Sequence, residues 1–122
     1  MRGVNSREAV AFHVLGNDRR LFAIHHLGSH PVGARVAVRD LARVVRAIEL
    51  GEELRAVDTA DYESAYASMT QVHLPTMAKA GAIAYDDDRK VVTVTERTHA
   101  FAMLAALGRF SAPPTPPGLT NE

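Results

Sequence analysis

Cysteine and tryptophan are absent from this 122-residue chain, and only 6 % of its residues are aromatic. The lack of cysteine excludes disulfides, thiolate metal sites and cysteine nucleophiles. The longest apolar run, residues 100–108, is far shorter than the roughly 20 residues that a membrane-spanning helix needs. No signal peptide is visible at the N-terminus, so we expect a soluble, cytoplasmic protein that does not contact a membrane.

Motifs of enzymes and metal sites are also missing. There is no glycine-rich phosphate loop, nucleophile elbow or pair of catalytic carboxylates, so we expect no catalytic residues and no cofactor. Six histidines are present, and His25, His26 and His30 lie close together in sequence. Because the His-Glu-x-x-His pattern is absent, we expect no metal site. We expect His73 to have a hydrogen-bonded structural role instead.

The net charge is zero, but it is unevenly distributed along the chain. Residues 1–46 contain eight arginines and three acidic residues, which gives this part a net charge of +5. The remainder therefore carries −5. One interpretation is that the folded protein presents a positive face that binds a polyanion. The alternative is an ordinary solvated surface on which the uneven distribution has no function.

Apolar periodicity, caps and turn residues predict the order helix, helix, strand, helix, helix, hairpin, helix. Gly28, Gly51 and Gly81 end the second, third and fourth helices. Pro75 lies inside the fourth helix and predicts a kink or break near residues 72–74. The predicted helices cover about residues 7–15, with Ser6 as N-cap, 18–27, 39–50, about 61–80 and 100–107, and the strands cover residues 34–38, 82–85 and 91–95.

Two helices followed by a β-hairpin predict a winged helix-turn-helix fold, mainly α with a small hairpin (α+β), extended by a C-terminal helix. We assign residues 1–110 to this domain. Residues 111–122 contain four prolines and are expected to form a disordered tail.

Three short motifs carry a resemblance to known regulators. The segment His73-Leu74, followed by Met77 and then Ala80-Gly81, resembles ArsR-like winged helix regulators. Together with residues 17–20 (Asn-Asp-Arg-Arg), His-Leu-Pro at residues 73–75 and Tyr-Asp-Asp-Asp at residues 85–88, it is more similar to winged helix proteins of halophilic archaea. The resemblance covers about residues 14–95 and implies transcriptional regulation in an archaeal cell.

The fourth predicted helix is the candidate for reading double-stranded DNA in the major groove. Its polar side carries hydroxyls and an amide, which read base edges and phosphates without net charge. The alternative is an ordinary solvent-facing helix side. The candidate reading residues are Ser64, Ser68, Thr70 and Gln71.

Basic residues elsewhere are candidates for phosphate contacts. Arg39, Arg43 and Arg46 form a stripe on the third helix, which Arg19 and Arg20 extend. The hairpin adds Arg89 and Lys90, although the acidic residues 86–88 beside them repel phosphate. A solvated helix face and a self-neutralised turn are the alternatives.

The C-terminal helix is apolar on nearly every side, which is typical of a buried helix. We expect Phe101, Leu104, Ala105 and Leu107 to pack against a second copy. A symmetric dimer places two reading helices about 34 Å apart, one turn of DNA. Docking of this helix onto its own domain is the alternative.

These features predict a homodimeric, sequence-specific transcriptional regulator that binds double-stranded DNA. The alternative is a winged-helix adaptor that binds other proteins and makes no direct contact with DNA, because a fold does not determine its function.

Overall fold

The computed structural model describes residues 6–108, and the predicted order of elements is confirmed. The predicted tail at residues 111–122 lies outside the described residues. None of the helices within residues 6–108 is long and apolar enough to cross a membrane. The helices are α1 (Ser6–Leu15), α2 (Asp18–Leu27), α3 (Val38–Leu50), α4 (Thr59–Ser68), α5 (Leu74–Lys79) and α6 (Glu96–Ala106), and the strands are β1 (Arg35–Ala37), β2 (Ala84–Asp86) and β3 (Val91–Thr93).

The β-hairpin is part of a three-stranded antiparallel sheet with the order β1-β3-β2. Val92 in the central strand lies opposite Val36 in β1 and Tyr85 in β2. The sequence predicts all three strands but not the pairing of β1 with β3. With α2, α3 and the helix that precedes the hairpin, this sheet completes a winged helix-turn-helix arrangement. The added C-terminal helix, α6, is also present.

The core lies between the helices and one face of the small sheet. The side chains of α2, α3 and α6 meet there, and α2 packs against both α3 and α6. Burial of this apolar surface is the main favourable contribution to folding. The fully buried large side chains are Leu15, Ile24, Leu27, Leu41, Met69, Leu74, Met77, Val14, Val38, Val45, Val92 and Val94.

Helices α4 and α5 are joined by a π-helical turn, Met69–His73, and we call the three segments together the long helix. Pro75 has no N–H, and its ring crowds the turn before it. The helix widens into the π-turn just before Pro75, and the Leu74 N–H donates to the Met69 carbonyl, five residues earlier. The predicted irregularity is therefore present as a π-turn and not as a break. Met69, His73 and Met77 are buried.

Local capping sets where three helices begin. Asn17 Oδ1 accepts a hydrogen bond from the Arg20 N–H, and Asp58 Oδ1 accepts one from the Asp61 N–H. Thr95 and Thr98 form a reciprocal capping box, so α6 begins at Glu96, four residues before the predicted start.

Gly28 ends α2 as predicted, but in a right-handed conformation (φ −66°) and not in the left-handed one typical of such caps. Gly28 allows α2 and α6 to approach each other closely, because a Cβ at this position would lie 2.4 Å from the Ala102 Cβ in α6.

Candidate nucleic-acid interface

The outward side of the long helix carries two of the four predicted reading residues in full exposure. Ser64 and Gln71 are exposed, and Ser68 is half-buried. The side chain of Thr70 turns back onto its own helix, where Oγ1 donates to the Tyr66 carbonyl at 3.0 Å and lies 3.2 Å from the Ala67 carbonyl. The structure therefore presents Ser64 and Gln71 to an approaching ligand but does not present the hydroxyl of Thr70.

A cleft of about 320 Å³ lies between the start of α3, the side of α4 and the tip of the hairpin. We call it the wing cleft. Arg39 from α3 and Arg89 and Lys90 from the hairpin line it, together with Tyr66 from α4. Two neighbouring predicted phosphate-binding residues of the hairpin are thus brought beside the long helix together with a third, Arg39, which is about fifty positions away in sequence. The sequence did not identify Tyr66 as a residue of this site.

The hairpin balances part of the positive charge of the wing cleft. Lys90 Nζ lies 2.7 Å from Asp87 Oδ1, and Arg89 Nε lies 3.9 Å from Asp86 Oδ2. The hydrogen bond from Lys90, followed by one from the Tyr85 hydroxyl, keeps the pKa of Asp87 below its ordinary value. Arg39 is exposed and has no ion-pair partner among the side chains of residues 9–108. The acidic residues of the hairpin therefore neutralise part of the charge of Arg89 and Lys90, but they do not pair with Arg39.

The predicted arginine stripe on α3 does not face solvent along its whole length. Arg43 lies over the Tyr62 ring, with its guanidinium carbon 4.7 Å from the ring centroid. Arg46 donates to Glu49 Oε1 at 2.9 Å and to Asp61 Oδ1 at 3.0 Å. Because these two carboxylates neutralise Arg46, it is not available to bind phosphate, and only Arg39 of the stripe is left open.

Arg19 and Arg20 do not extend that stripe either, because both are used inside the domain. Arg19 forms a two-point contact with Glu49, with distances of 2.6 and 3.0 Å. Burial alone favours the protonated carboxyl, but the hydrogen bonds from Arg19 and Arg46 hold the pKa of Glu49 below its usual value. This ion-pair network ties α2, α3 and α4 together and fixes the long helix on the domain.

Arg20, which follows Arg19 in the motif at residues 17–20, contacts the π-turn. Its guanidinium donates to the carbonyls of Val14 and His13, and Nη1 lies 3.1 Å from His73 Nδ1. Burial, followed by the nearby Arg20 and Arg19 charges, lowers the pKa of His73. The imidazole is therefore neutral, with Nδ1 as the acceptor, which confirms a hydrogen-bonded structural role for His73.

His26, His30 and His99 lie close together where α2 meets the loop before β1. The rings of His26 and His30 are 4.8 Å apart at their centroids, and His99 Nε2 lies 2.6 Å from the His30 carbonyl oxygen. Among the side chains of residues 9–108, no group of three or more His, Asp or Glu is placed to hold a metal ion.

The apolar residues of α6 divide into two sets. Phe101 and Ala105 are buried within their own domain, so their surfaces are not available to a second copy. Leu104 is half-buried, and Leu107 is 67 % exposed just beyond the helix. Met103, which the sequence did not single out, is 66 % exposed. Docking of α6 onto its own domain therefore accounts for one side of the helix and leaves the other open.

Comparison with known proteins identifies the family of the chain. No curated protein and no solved structure matches the chain. A family model described as a domain of unknown function, DUF7344, matches residues 12–93, which span α2 to β3 and include the long helix and the wing cleft. The chain belongs to this family, DUF7344.

Proposed function

We propose that the protein is a cytoplasmic transcriptional regulator that binds double-stranded DNA, with the long helix in the major groove and a backbone phosphate in the wing cleft. The observation that carries this proposal is the convergence of Arg39, Arg89 and Lys90 on one cleft beside the long helix. Guanidinium and ammonium groups are the usual partners of DNA phosphates, and a tyrosine hydroxyl such as that of Tyr66 also donates to them.

The long helix supplies the base-reading groups in this arrangement. Ser64 and Gln71 are seven residues apart, which corresponds to about 10 Å along a helix and therefore about three base pairs of DNA. An amide side chain pairs in a bidentate manner with adenine, and a serine hydroxyl accepts or donates at any base. Ser68 lies between them in sequence and is half-buried, so its contribution is smaller.

The charge balance predicts modest affinity for non-specific DNA. Arg39 is open, whereas Lys90 and Arg89 already have acidic neighbours. Since each neutralised phosphate contributes to both the affinity and its salt dependence, few open cations mean weak non-specific binding. Specificity then depends on the base contacts of the long helix and on the presence of two copies.

A homodimer is part of this proposal. Met103 on α6 and Leu107 just beyond its end are large, apolar and two-thirds exposed. A second copy that covers them removes this surface from water and provides the two-fold symmetry that matches a palindromic DNA site.

The experiment is selection of bound sequences from random duplex DNA, followed by titration of the winning duplex at several salt concentrations. We expect the double variant R39Q/R89Q to lose at least tenfold in affinity for every duplex. The slope of log K against log salt should fall by about 0.9 for each lost phosphate contact. Arg55→Gln is the matched control, because Arg55 is highly exposed outside the wing cleft. Failure to select any sequence, with no binding even at low salt, would contradict the proposal.

A protein-binding adaptor is the second candidate, and one surface favours it. Ile48, Leu50 and Leu54 are exposed at the end of α3 and in the turn after it. Exposed acidic residues at positions 52, 53 and 58 lie between and after them in sequence, which suits a basic, apolar protein partner better than DNA. Co-purification of such a partner with no measurable DNA affinity would decide for the adaptor.

A further inference from the structure

An apolar groove runs between α1, the end of the long helix and α6. Its larger part, about 450 Å³, is lined by Val10, Ala80, Phe101 and Leu104. A second part of about 470 Å³ shares Val10 and Ala80 and continues toward Thr76 and Lys79. We call the two parts the α1–α6 groove. Their volumes lie within the range typical of small-molecule sites.

The cations of this groove are separate from those of the wing cleft. Arg97 lines the larger part and Lys79 the smaller one. Neither has an ion-pair partner among the side chains of residues 9–108, and none of the described side chains that line the groove is acidic. An apolar floor with unpaired positive charge complements a ligand that has an apolar body and a negative head.

Arg97 is held in a fixed orientation before any ligand arrives. Its Nε donates to the Gly81 carbonyl at 3.1 Å, and its guanidinium carbon lies 5.8 Å from the centroid of the Phe101 ring. These two contacts leave the terminal nitrogens without a described partner. A guanidinium pairs with a carboxylate through two parallel hydrogen bonds, which a hydroxyl cannot reproduce.

We propose that the α1–α6 groove binds an amphipathic monocarboxylate, with its carboxylate on Arg97 and its apolar body along Val10, Ala80 and Leu104. The groove touches Lys79 and Ala80 at the end of the long helix, and it also touches α6. A bound ligand therefore contacts both the helix assigned to DNA reading and the helix assigned to dimerisation. Binding of the carboxylate does not depend on DNA, whereas its effect on DNA affinity rests on the proposed function.

The test is a titration of the isotope-labelled full chain, without DNA, with decanoate below its micelle concentration, followed by amide NMR. Decanol, with the same chain length and no carboxylate, is the matched probe. We expect saturable shifts at the groove residues and at least tenfold tighter binding of decanoate than of decanol. Equal binding of the two probes, or shifts that do not saturate at the groove, would overturn the proposal.

Two variants test separately how the groove binds the carboxylate and how it binds the apolar chain of the ligand. Arg97→Gln should weaken decanoate at least tenfold and leave decanol unchanged, and an unchanged affinity for decanoate would overturn the role of Arg97. Ala100 also lines the groove and is exposed, so Ala100→Phe fills the groove without disturbing the core and should weaken both probes. Binding that persists in Ala100→Phe would overturn the location. Arg55→Gln, outside the groove, is the control and should bind decanoate like the natural protein.

The regulatory consequence has its own measurement. We expect saturating decanoate to change the affinity for the selected duplex at least threefold, and decanol at the same concentration to leave it unchanged. An intact decanoate site in a protein that binds no DNA would contradict the proposed function alone. An unchanged DNA affinity at full occupancy of the groove would overturn the coupling between the two sites.

Discussion

Arg20 Nη1 lies 3.1 Å from Nδ1 of His73, and this contact joins the start of α2 to the π-turn of the long helix. The two residues belong to two of the motifs that carry the resemblance to known regulators. A guanidinium can only donate hydrogen bonds. The contact therefore requires that Nδ1 of His73 carries no proton and acts as the acceptor. The contact therefore makes the attachment of the long helix sensitive to pH.

Acidification should weaken the fold through His73. Burial and the charges of Arg20 and Arg19 lower the pKa of His73 in the folded protein from 6.5, so the unfolded chain binds a proton first. The free energy of unfolding should therefore decrease as the pH falls from about 6.5 toward the lowered value. Urea titrations from pH 7.5 to 5 measure it, and His73→Asn, which keeps an acceptor and cannot titrate there, should flatten the curve. His26 shifts in the same direction, through burial and then His30, so His26→Asn is the companion variant. A natural protein with no pH dependence over this range would contradict the assignment.

Glu49 should stabilise the fold more than an exposed glutamate does. Its side chain is 17 % exposed and holds two arginines, Arg19 and Arg46. We expect Glu49→Gln to cost about 1–2 kcal/mol in the free energy of unfolding, between the values for surface and buried pairs. The loss should be full near neutral pH and should vanish as the pH falls through the lowered pKa of Glu49. Glu52→Gln, at an exposed position, should change stability by less than about 0.5 kcal/mol. Equal effects of the two substitutions would remove the structural role of the network.

Sequence patterns predict the parts of this fold that depend on near neighbours. The caps at Asn17 and Asp58 bond to backbone three residues away, and the distortion before Pro75 follows from one missing N–H. These signals lie within one or two helical turns. The order of elements and the winged helix arrangement could therefore be predicted.

The partners of charged and apolar side chains could not be predicted in the same way. Arg46 meets Asp61, fifteen positions away, and the sequence offers many other arginine–carboxylate pairs at similar separations. Helix α6 is apolar on several sides, so periodicity does not indicate that Phe101 faces the domain while Met103 faces out. The wing cleft depends on the docking of the hairpin beside Tyr66, which no local pattern encodes.

Gln71 and Thr70 make a matched pair for testing the reading side of the long helix. Gln71 is exposed, whereas the hydroxyl of Thr70 is occupied by its own helix. We expect Gln71→Ala to reduce the preference for the selected duplex over a scrambled one by about 1–3 kcal/mol, the value of one bidentate base contact. Thr70→Val should leave that preference unchanged. Competition binding with both duplexes measures the difference, and an opposite ranking of the two variants would exclude this side as the reading surface.

The dimer prediction can be tested at the exposed part of α6. Met103 and Leu107 are 66 % and 67 % exposed, whereas Phe101 is only 5 % exposed. We expect Met103→Glu/Leu107→Glu to convert a dimer to a monomer in light scattering without loss of thermal stability of the monomer, since neither residue is in the core. Ile48→Glu, also exposed but on α3, is the control and should leave the mass unchanged. A natural protein that is already monomeric at high concentration would contradict the prediction.

Gly28 and Ala102 should behave as a size-complementary pair. A Cβ on residue 28 would lie 2.4 Å from the Ala102 Cβ, so Gly28→Ala must push α2 and α6 apart. We expect a loss of about 1–3 kcal/mol in the free energy of unfolding, the usual cost of overpacking. The rescue Gly28→Ala/Ala102→Gly removes one methyl as it adds the other, and should recover most of that loss apart from the lower helix propensity of glycine. Denaturant titration of the two single variants and the double variant gives the coupling energy directly. Strict additivity of the two changes would mean that the helices do not touch at this point, because only residues in contact show a coupling of this size.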